Sequence, residues 1–252
     1  MCRSENRFVL KLVTAGLLGI VVAVPTLAEA TTVTYSIETD VGGFGTQLST
    51  DNWANTNNQW ISAGFDPGSG NVFYARNNTG GDSSITRAND ANFSYSIPSG
   101  TTLLSLEITA RSPNFWQAGL AQGTTQRFGI GYDFGNSDQF FLWDNFTRIN
   151  GTGTFTGDEV RTVRLDVDMV AQTADLILDP NGTPTLLLDD QPFATPISTI
   201  ESTNGLFIRT ATAFAGPTSF TITSVPEPGS VGLLAAAAAA SGWAFLRRRI
   251  RG

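Results

Sequence analysis

Residues 161–179 read RTVRLDVDMVAQTADLILD, and their pattern predicts the fold of the chain. Apolar residues alternate with polar ones, as in Val163 and Leu165 against Arg164 and Asp166. Successive side chains of a strand point to opposite faces, so this period is typical of an antiparallel strand with one buried face and one wet face. A second alternating segment follows a short turn. The stretch therefore predicts a β-hairpin.

The same period of two recurs through the middle of the chain, at residues 33–37, 93–97, 104–110, 128–132, 206–208 and 220–222. Turn-forming clusters separate these segments, at residues 66–70, 77–81, 98–100 and 179–182. No long 3.6-residue period occurs between them. We therefore predict one all-β domain over residues 31–224, an antiparallel β-sandwich or jelly roll, with a signal helix before it and a transmembrane helix after it. Because domain ends often lie close together, the strands at Val33 and Phe220 are expected to be neighbours.

The segment 161–193 combines a long strand, a short turn and a second strand that ends in Asp179-Pro180-Asn181-Gly182. This arrangement resembles the paired hairpins of concanavalin A-like lectin sandwiches. The resemblance implies that fold for the domain. It implies no ligand, because one fold serves many functions.

The composition excludes several kinds of chemistry. The chain has no His, its one Cys is Cys2 and its one Lys is Lys11, so the predicted domain has none of the three. Disulfides, Cys/His zinc sites, catalytic triads that use His and Schiff-base lysines are thereby excluded. The net charge is −7, and several arginines lie in the two ends, so the domain itself is still more acidic. An acidic surface disfavours binding to nucleic acid.

The N-terminus has the features of a secretory signal peptide, residues 1–30. A positively charged start with Arg3 and Arg7 is followed by a short apolar stretch, and Ala28-Glu29-Ala30 forms an A-x-A cleavage site. The apolar stretch is too short for a permanent anchor. We therefore expect export and removal of this segment after Ala30.

The C-terminal tail, residues 225–252, has three consecutive parts. Pro226-Glu227-Pro228 comes first, an uncharged stretch at 229–246 follows, and a basic end at 247–252 closes the chain. As a helix the uncharged stretch would be about 27 Å long, near the thickness of a thin bilayer. The positive-inside bias predicts that the basic end stays on the cytoplasmic side, held by Arg247, Arg248, Arg249 and Arg251.

This three-part tail resembles the PEP-CTERM sorting signal of bacteria that carry an exosortase. The resemblance covers residues 225–252, and its most specific part is the motif Pro226, Glu227 and Pro228 directly before the apolar stretch. It implies that a membrane-embedded, transpeptidase-like exosortase cleaves the chain near the motif. Before cleavage the protein would be held in the inner membrane. Afterwards it would reach the cell surface or an extracellular polysaccharide matrix. The alternative is an ordinary tail anchor.

Asp166 and Asp168 are candidates for carboxylate chemistry, because residues two apart on a strand share a face. A carboxylate pair could serve glycoside hydrolysis. The glucanases with a sandwich fold use a Glu-x-Asp-x-x-Glu pattern, however, and position 171 here is Ala. A solvated strand face is the favoured interpretation, and we predict no enzymatic activity.

Two further groups are candidates for ligand binding. Asp179, Asp189 and Asp190 could supply oxygen ligands to calcium, although Asx turns explain them equally well. Trp116 follows a loop-like Ser-Pro-Asn-Phe segment and is a candidate platform for a sugar ring. The sequence therefore predicts an exported envelope or matrix protein with a structural or carbohydrate-binding domain. The alternatives are a carboxylate-dependent, glycan-active enzyme and a passive, membrane-tethered surface protein.

Overall fold

The structure, a computed structural model, describes residues 29–54, 60–65, 72–78, 81–111, 114–135, 137–155, 159–211 and 216–227. Within these ranges the chain from Glu29 to Pro226 forms one compact unit. The predicted signal segment before residue 29, the predicted transmembrane stretch 229–246 and the basic end lie outside the described residues, as does Pro228. No helix in the described ranges is long and apolar enough to cross a membrane.

The described residues form antiparallel β-sheets, consistent with the predicted β-sandwich. Their strands are β1 (Thr31–Ser36), β2 (Trp53–Ala54), β3 (Trp60–Phe65), β4 (Val72–Asn77), β5 (Ser83–Ala88), β6 (Thr101–Arg111), β7 (Trp116–Gln122), β8 (Thr125–Asp133), β9 (Gln139–Asp144), β10 (Thr147–Asn150), β11 (Val160–Asp168), β12 (Thr173–Leu178), β13 (Thr185–Pro192), β14 (Gly205–Thr210) and β15 (Gly216–Pro226). The helical elements are a π-helical turn at Ile37–Val41, a 3-10 turn at Leu48–Asp51 and helix α1 at Ile197–Glu201.

The strands make two large sheets and a separate hairpin. The six-stranded sheet has the order β1-β15-β6-β11-β12-β13, and the seven-stranded sheet has the order β10-β9-β8-β7-β14-β5-β2. Strands β3 and β4 pair with each other. Buried side chains from both large sheets belong to one hydrophobic cluster, so the sheets pack face to face around a shared core.

The hairpin predicted from residues 161–179 is confirmed. Strands β11 and β12 pair antiparallel, with Leu165 opposite Leu176. Leu165 and Val163 have no exposed surface, whereas Arg164 and Asp166 on the other face are partly exposed. Because β11 also pairs with β6, it lies inside the six-stranded sheet.

The two ends of the domain pair, as predicted. Strand β1 lies alongside β15, with Val33 opposite Ile222 and Tyr35 opposite Phe220. Strand β15 continues two residues past the predicted domain end at Ser224, and Pro226 pairs with Thr101. A proline is accepted at the end of a strand, where its missing N–H breaks no internal ladder bond. The first residue of the Pro-Glu-Pro motif is therefore part of the folded domain.

Candidate functional site

The outer face of the seven-stranded sheet differs from its core face in the side chains that it displays. Trp116 and Ala118 of β7 belong to the core cluster, so the alternate residue Gln117 lies on the outer face. Gln117 pairs with Arg209 of β14 on one side and with Gly131 of β8 on the other. Polar, charged and glycine residues therefore stand in one row across the centre of this face.

A pocket of about 370 Å³ lies at one end of this sheet. Its volume is within the range of small-molecule sites. The residues that line it come from strand ends and the adjoining loops: Asp82, Asn114, Phe115, Asp133, Phe134, Arg148, Arg209 and Ala211. Chain positions far apart in sequence thus meet at this end of the sheet.

Two ion pairs hold the polar wall of the pocket. Arg209 donates hydrogen bonds from Nε and Nη2 to the two carboxylate oxygens of Asp82, at 2.9 and 2.6 Å. This hydrogen bonding holds the pKa of Asp82 below its usual value and raises the pKa of Arg209. Arg148 donates to Asp133, which is nearly buried, and to Ser137 at 2.5 Å. Each guanidinium is thereby fixed with its partner at the pocket.

Aromatic rings form the apolar wall. Phe115 stacks on Phe141, with ring centroids 6.2 Å apart and an interplanar angle of 23°. Arg148 lies 4.5 Å from the ring centroid of Phe141, and Arg209 lies 5.5 Å from that of Phe115. Phe134 is 45% exposed. The pocket thus combines ring faces with fixed hydrogen-bonding groups.

The prediction of Trp116 as a sugar contact is wrong for this structure. Trp116 is the first residue of β7, has no exposed surface and lies edge-on to Phe140 in the core. The adjacent Phe115 lies on the other side of the strand and lines the pocket. The aromatic residues of this segment correctly indicated a ring at a candidate binding site. Which of the two adjacent rings is buried depends on the register of the sheet, which the sequence does not show.

Asp166 and Asp168 have structural partners on the outer face of the six-stranded sheet. Asp166 accepts hydrogen bonds from Ser105 at 2.8 Å and from Nε of Arg164 at 3.0 Å. Asp168 accepts the backbone N–H groups of the turn that follows, at residues 170 and 171. Neither carboxylate lines the pocket described above.

The structure does not bring the three calcium candidates together into a metal site. Asp179 pairs with Arg161 at 2.8 Å, and Asp189 and Asp190 lie on the exposed strand β13. In the part of the chain that the structure describes, no group of three or more acidic, His or Cys side chains could hold a metal ion.

A second polar cluster, the Asp51–Arg87 cluster, consists of the buried residues Tyr35, Asp51, Trp53 and Arg87 and of Asp90, which is partly exposed. Arg87 donates to both carboxylate oxygens of Asp51, at 3.0 and 3.1 Å, and has no exposed surface. The hydroxyl of Tyr35 donates to Asp51 at 2.5 Å and accepts from the indole N–H of Trp53 at 2.7 Å. Burial raises the pKa of Tyr35, and its hydrogen bond to Asp51 raises it further.

The rings around Arg87 complete the enclosure of this cluster. The guanidinium lies 5.1 Å from the ring centroid of Tyr35 and 5.0 Å from that of Phe93. Burial alone would lower the pKa of Arg87, but the hydrogen bonds and the charge of Asp51 outweigh it and raise the pKa. Because its members bond to one another, this cluster supports the fold and is not part of the pocket.

Asp90 should make the stability of the domain depend on acid pH. Hydrogen bonds from the backbone N–H of Phe93 and the side chain of Asn52 lower its pKa from 3.8 to about 2. A lowered pKa stabilises the fold above pH 4, and this stabilisation is lost as the pH falls from about 4 through 2. In unfolding experiments between pH 7 and pH 2, the unaltered protein should be more stable than Asp90→Asn at pH 7. This difference in the free energy of unfolding should disappear as the pH falls from about 4 to about 2. If the difference in the free energy of unfolding between the two proteins stayed the same at every pH, the lowered pKa of Asp90 would be contradicted.

Three solved structures are similar to this chain at low sequence identity. No protein-family model matches the chain, and no curated protein sequence matches it. Carbohydrate binding module CBM66 from Bacillus subtilis is 15% identical, with a TM-score of 0.37 over 67% of this chain and 94% of that chain. A lectin from Bauhinia forficata in complex with GalNAc is 8% identical, with a TM-score of 0.43 over 79% of this chain and 99% of that chain.

A protein of unknown function from Shewanella oneidensis MR-1 is 12% identical, with a TM-score of 0.38 over 90% of this chain and 98% of that chain. Two of these three structures are, by their names, carbohydrate-binding proteins. At such identities and TM-scores the likeness transfers neither a ligand nor a site to this chain.

Proposed function

We propose that the protein is an exported surface or matrix protein whose β-domain binds a neutral carbohydrate in the pocket at the end of the seven-stranded sheet. The observation that carries the proposal is the pairing of aromatic faces with two fixed Arg–Asp pairs around one opening. A sugar ring has an apolar face and a polar edge, and this wall offers a partner to each.

The charges of the pocket favour a neutral ligand over an acidic one. Arg209 and Arg148 are each neutralised by a carboxylate, Asp82 and Asp133, so the four groups together carry no net formal charge. Because each of these guanidinium groups already has a carboxylate partner, the four groups offer no unpaired positive charge to bind the carboxylate of a uronic acid. Hydroxyl groups, in contrast, can accept from guanidinium groups and donate to carboxylates.

Calorimetric titration of the intact protein with cellotetraose, mannotetraose and tetragalacturonate tests this function. We expect a neutral tetrasaccharide to bind and tetragalacturonate not to bind. Phe134→Ala removes an exposed ring of the pocket and should weaken binding about tenfold, which corresponds to about 1.4 kcal/mol. Phe44→Ala is the matched control, because Phe44 is 72% exposed and does not line the pocket.

Equal weakening by Phe134→Ala and Phe44→Ala would place the binding elsewhere. If none of the three probes bound, the carbohydrate proposal would be refuted for these sugar classes. A passive surface protein would then be the better description of the domain.

The proposed route to the surface rests on the two ends of the chain. The A-x-A site at Ala28 and Ala30 directly precedes β1, and the Pro-Glu-Pro motif begins at the last residue of β15. Glu227 directly follows β15 in sequence and is exposed, which is compatible with recognition by a membrane enzyme. Exosortase is the proposed partner, with the inner membrane as the site of processing and the cell surface or the extracellular polysaccharide as the destination.

A further inference from the structure

Gln117 lies on the outer face of β7, the central strand of the seven-stranded sheet, and among the residues that the structure describes its buried amide has no hydrogen-bond partner. Its side chain has no exposed surface, and in the part of the chain that the structure describes both Oε1 and Nε2 are unpaired. A side-chain amide in this state destabilises the fold, because it has lost its bonds to water without gaining others. Unpaired buried groups of this kind call for a specific explanation.

The position of Gln117 connects it to the pocket. Arg209, its register partner on β14, lines the pocket, and so does Phe115, which directly precedes β7 and is two residues before Gln117. On the other side Gly131 is covered by the ring of Phe141, since a Cβ at Gly131 would lie 2.2 Å from Cζ of that ring. Phe141 stacks on Phe115. Gln117 does not itself line the pocket, but it is the strand neighbour of Arg209, which does.

We infer that Gln117 determines the specificity of this pocket, by pairing its amide with neighbouring hydroxyl groups of a neutral sugar. This inference rests on the proposed function. A primary amide presents an acceptor and a donor side by side, and two adjacent hydroxyls can supply the matching donor and acceptor. A carboxylate can only accept, and its burial beside the amide oxygen would be costly. Because Gln117 has no exposed surface, the contact requires the side chains that cover it to move when the sugar enters.

If the amide of Gln117 binds sugar but destabilises the free protein, its removal should weaken binding and raise the thermal stability. Gln117→Met and Gln117→Leu replace the amide with apolar groups of similar size, so each removes two unpaired atoms. Both variants should raise Tm by about 3 °C and weaken the binding of cellotetraose or mannotetraose about tenfold or more. Thermal unfolding and calorimetric titration of the intact protein measure the two effects.

Thr210→Val is the matched control on the adjacent strand. The hydroxyl of Thr210 is also buried and unpaired within the described ranges, but it lies on the core side of β14. Its removal should raise Tm without changing the Kd of either tetrasaccharide. A gain in stability coupled to a loss of binding is thus specific to the position of Gln117.

Two results would overturn the inference while leaving the proposed function intact. An unchanged Kd in both Gln117 variants would show that the amide does not contact the sugar. A lowered Tm in both would show that the amide is paired in the free protein. If the unaltered protein bound neither tetrasaccharide, the proposed function and this inference would fail together.

Discussion

Asp51→Ala is expected to lower the free energy of unfolding by about 3 kcal/mol, because it removes the closer and more buried of the two carboxylates that pair with the buried Arg87 and leaves only the partly exposed Asp90, 3.3 Å away. Arg87 has no exposed surface, and Asp51 is 8% exposed. The substitution also removes the acceptor of the Tyr35 hydroxyl, which is hydrogen-bonded to Asp51 at 2.5 Å. For a domain of this size the loss corresponds to a fall in Tm of about 10 °C. Urea or thermal unfolding at neutral pH measures it.

The double variant Asp51→Ala/Arg87→Met shows how much of the stability loss comes from the lost charge pair and how much from the lost side-chain volume. Removing both charges leaves no uncompensated ion, so the double variant should be more stable than the sum of the two single losses predicts. As a surface control, Asp82→Ala breaks an ion pair whose carboxylate is 53% exposed, and it should cost at most about 1 kcal/mol. If Asp51→Ala were as mild as Asp82→Ala, the buried pair would not hold the fold together.

The second large effect is expected at the C-terminal motif, where substitution should abolish cleavage of the C-terminal end completely. In a host with an exosortase, the unaltered chain should lose the end that contains Arg247 to Arg251, and Glu227→Ala/Pro228→Ala should retain it. The physical basis is that prolines fix φ and keep the motif extended beside its one charged residue. Mass measurement of the C-terminal peptide of the mature protein decides between cleavage and retention.

The structure shapes the choice of variants in this experiment. Pro226 lies within β15 and pairs with Thr101, and the carbonyl of Val225 accepts a hydrogen bond from Thr102 at 3.1 Å. A change at Pro226 could therefore disturb the sheet, whereas Glu227 follows the strand and is exposed. The same host without an exosortase is the control. Retention of the arginines by the unaltered chain in both hosts would refute the proposed sorting.

The strand pattern of the six-stranded sheet was predictable because one of its faces is buried and the other is partly exposed. Val163, Leu165 and Val167 face the core at a period of two, and their polar neighbours face outward. The pairing of the end strands followed from a general tendency of domains. The sheet order, which places β15 between β1 and β6, follows no local pattern, since backbone pairing carries little sequence information.

The pocket was not predictable from local signals. Asp82, Phe115, Asp133 and Arg209 are scattered along the chain, and none of them stands in a recognisable motif. Trp116 is buried at the start of β7, whereas Phe115, directly before the strand, lines the pocket. The Asp51–Arg87 cluster was missed for a related reason, because a charged residue in a sequence gives no sign that its partner is buried with it.

The sequence by itself determined that the domain is made of antiparallel strands and that its chemistry excludes His, Lys and Cys, because periodicity and composition are local properties of a chain. Only the tertiary structure decided that Arg209 meets Asp82, that Arg87 is enclosed with Asp51, and that Gln117 is buried with no partner among the described residues. These outcomes depend on strand order and register, which arise when two apolar faces exclude water together.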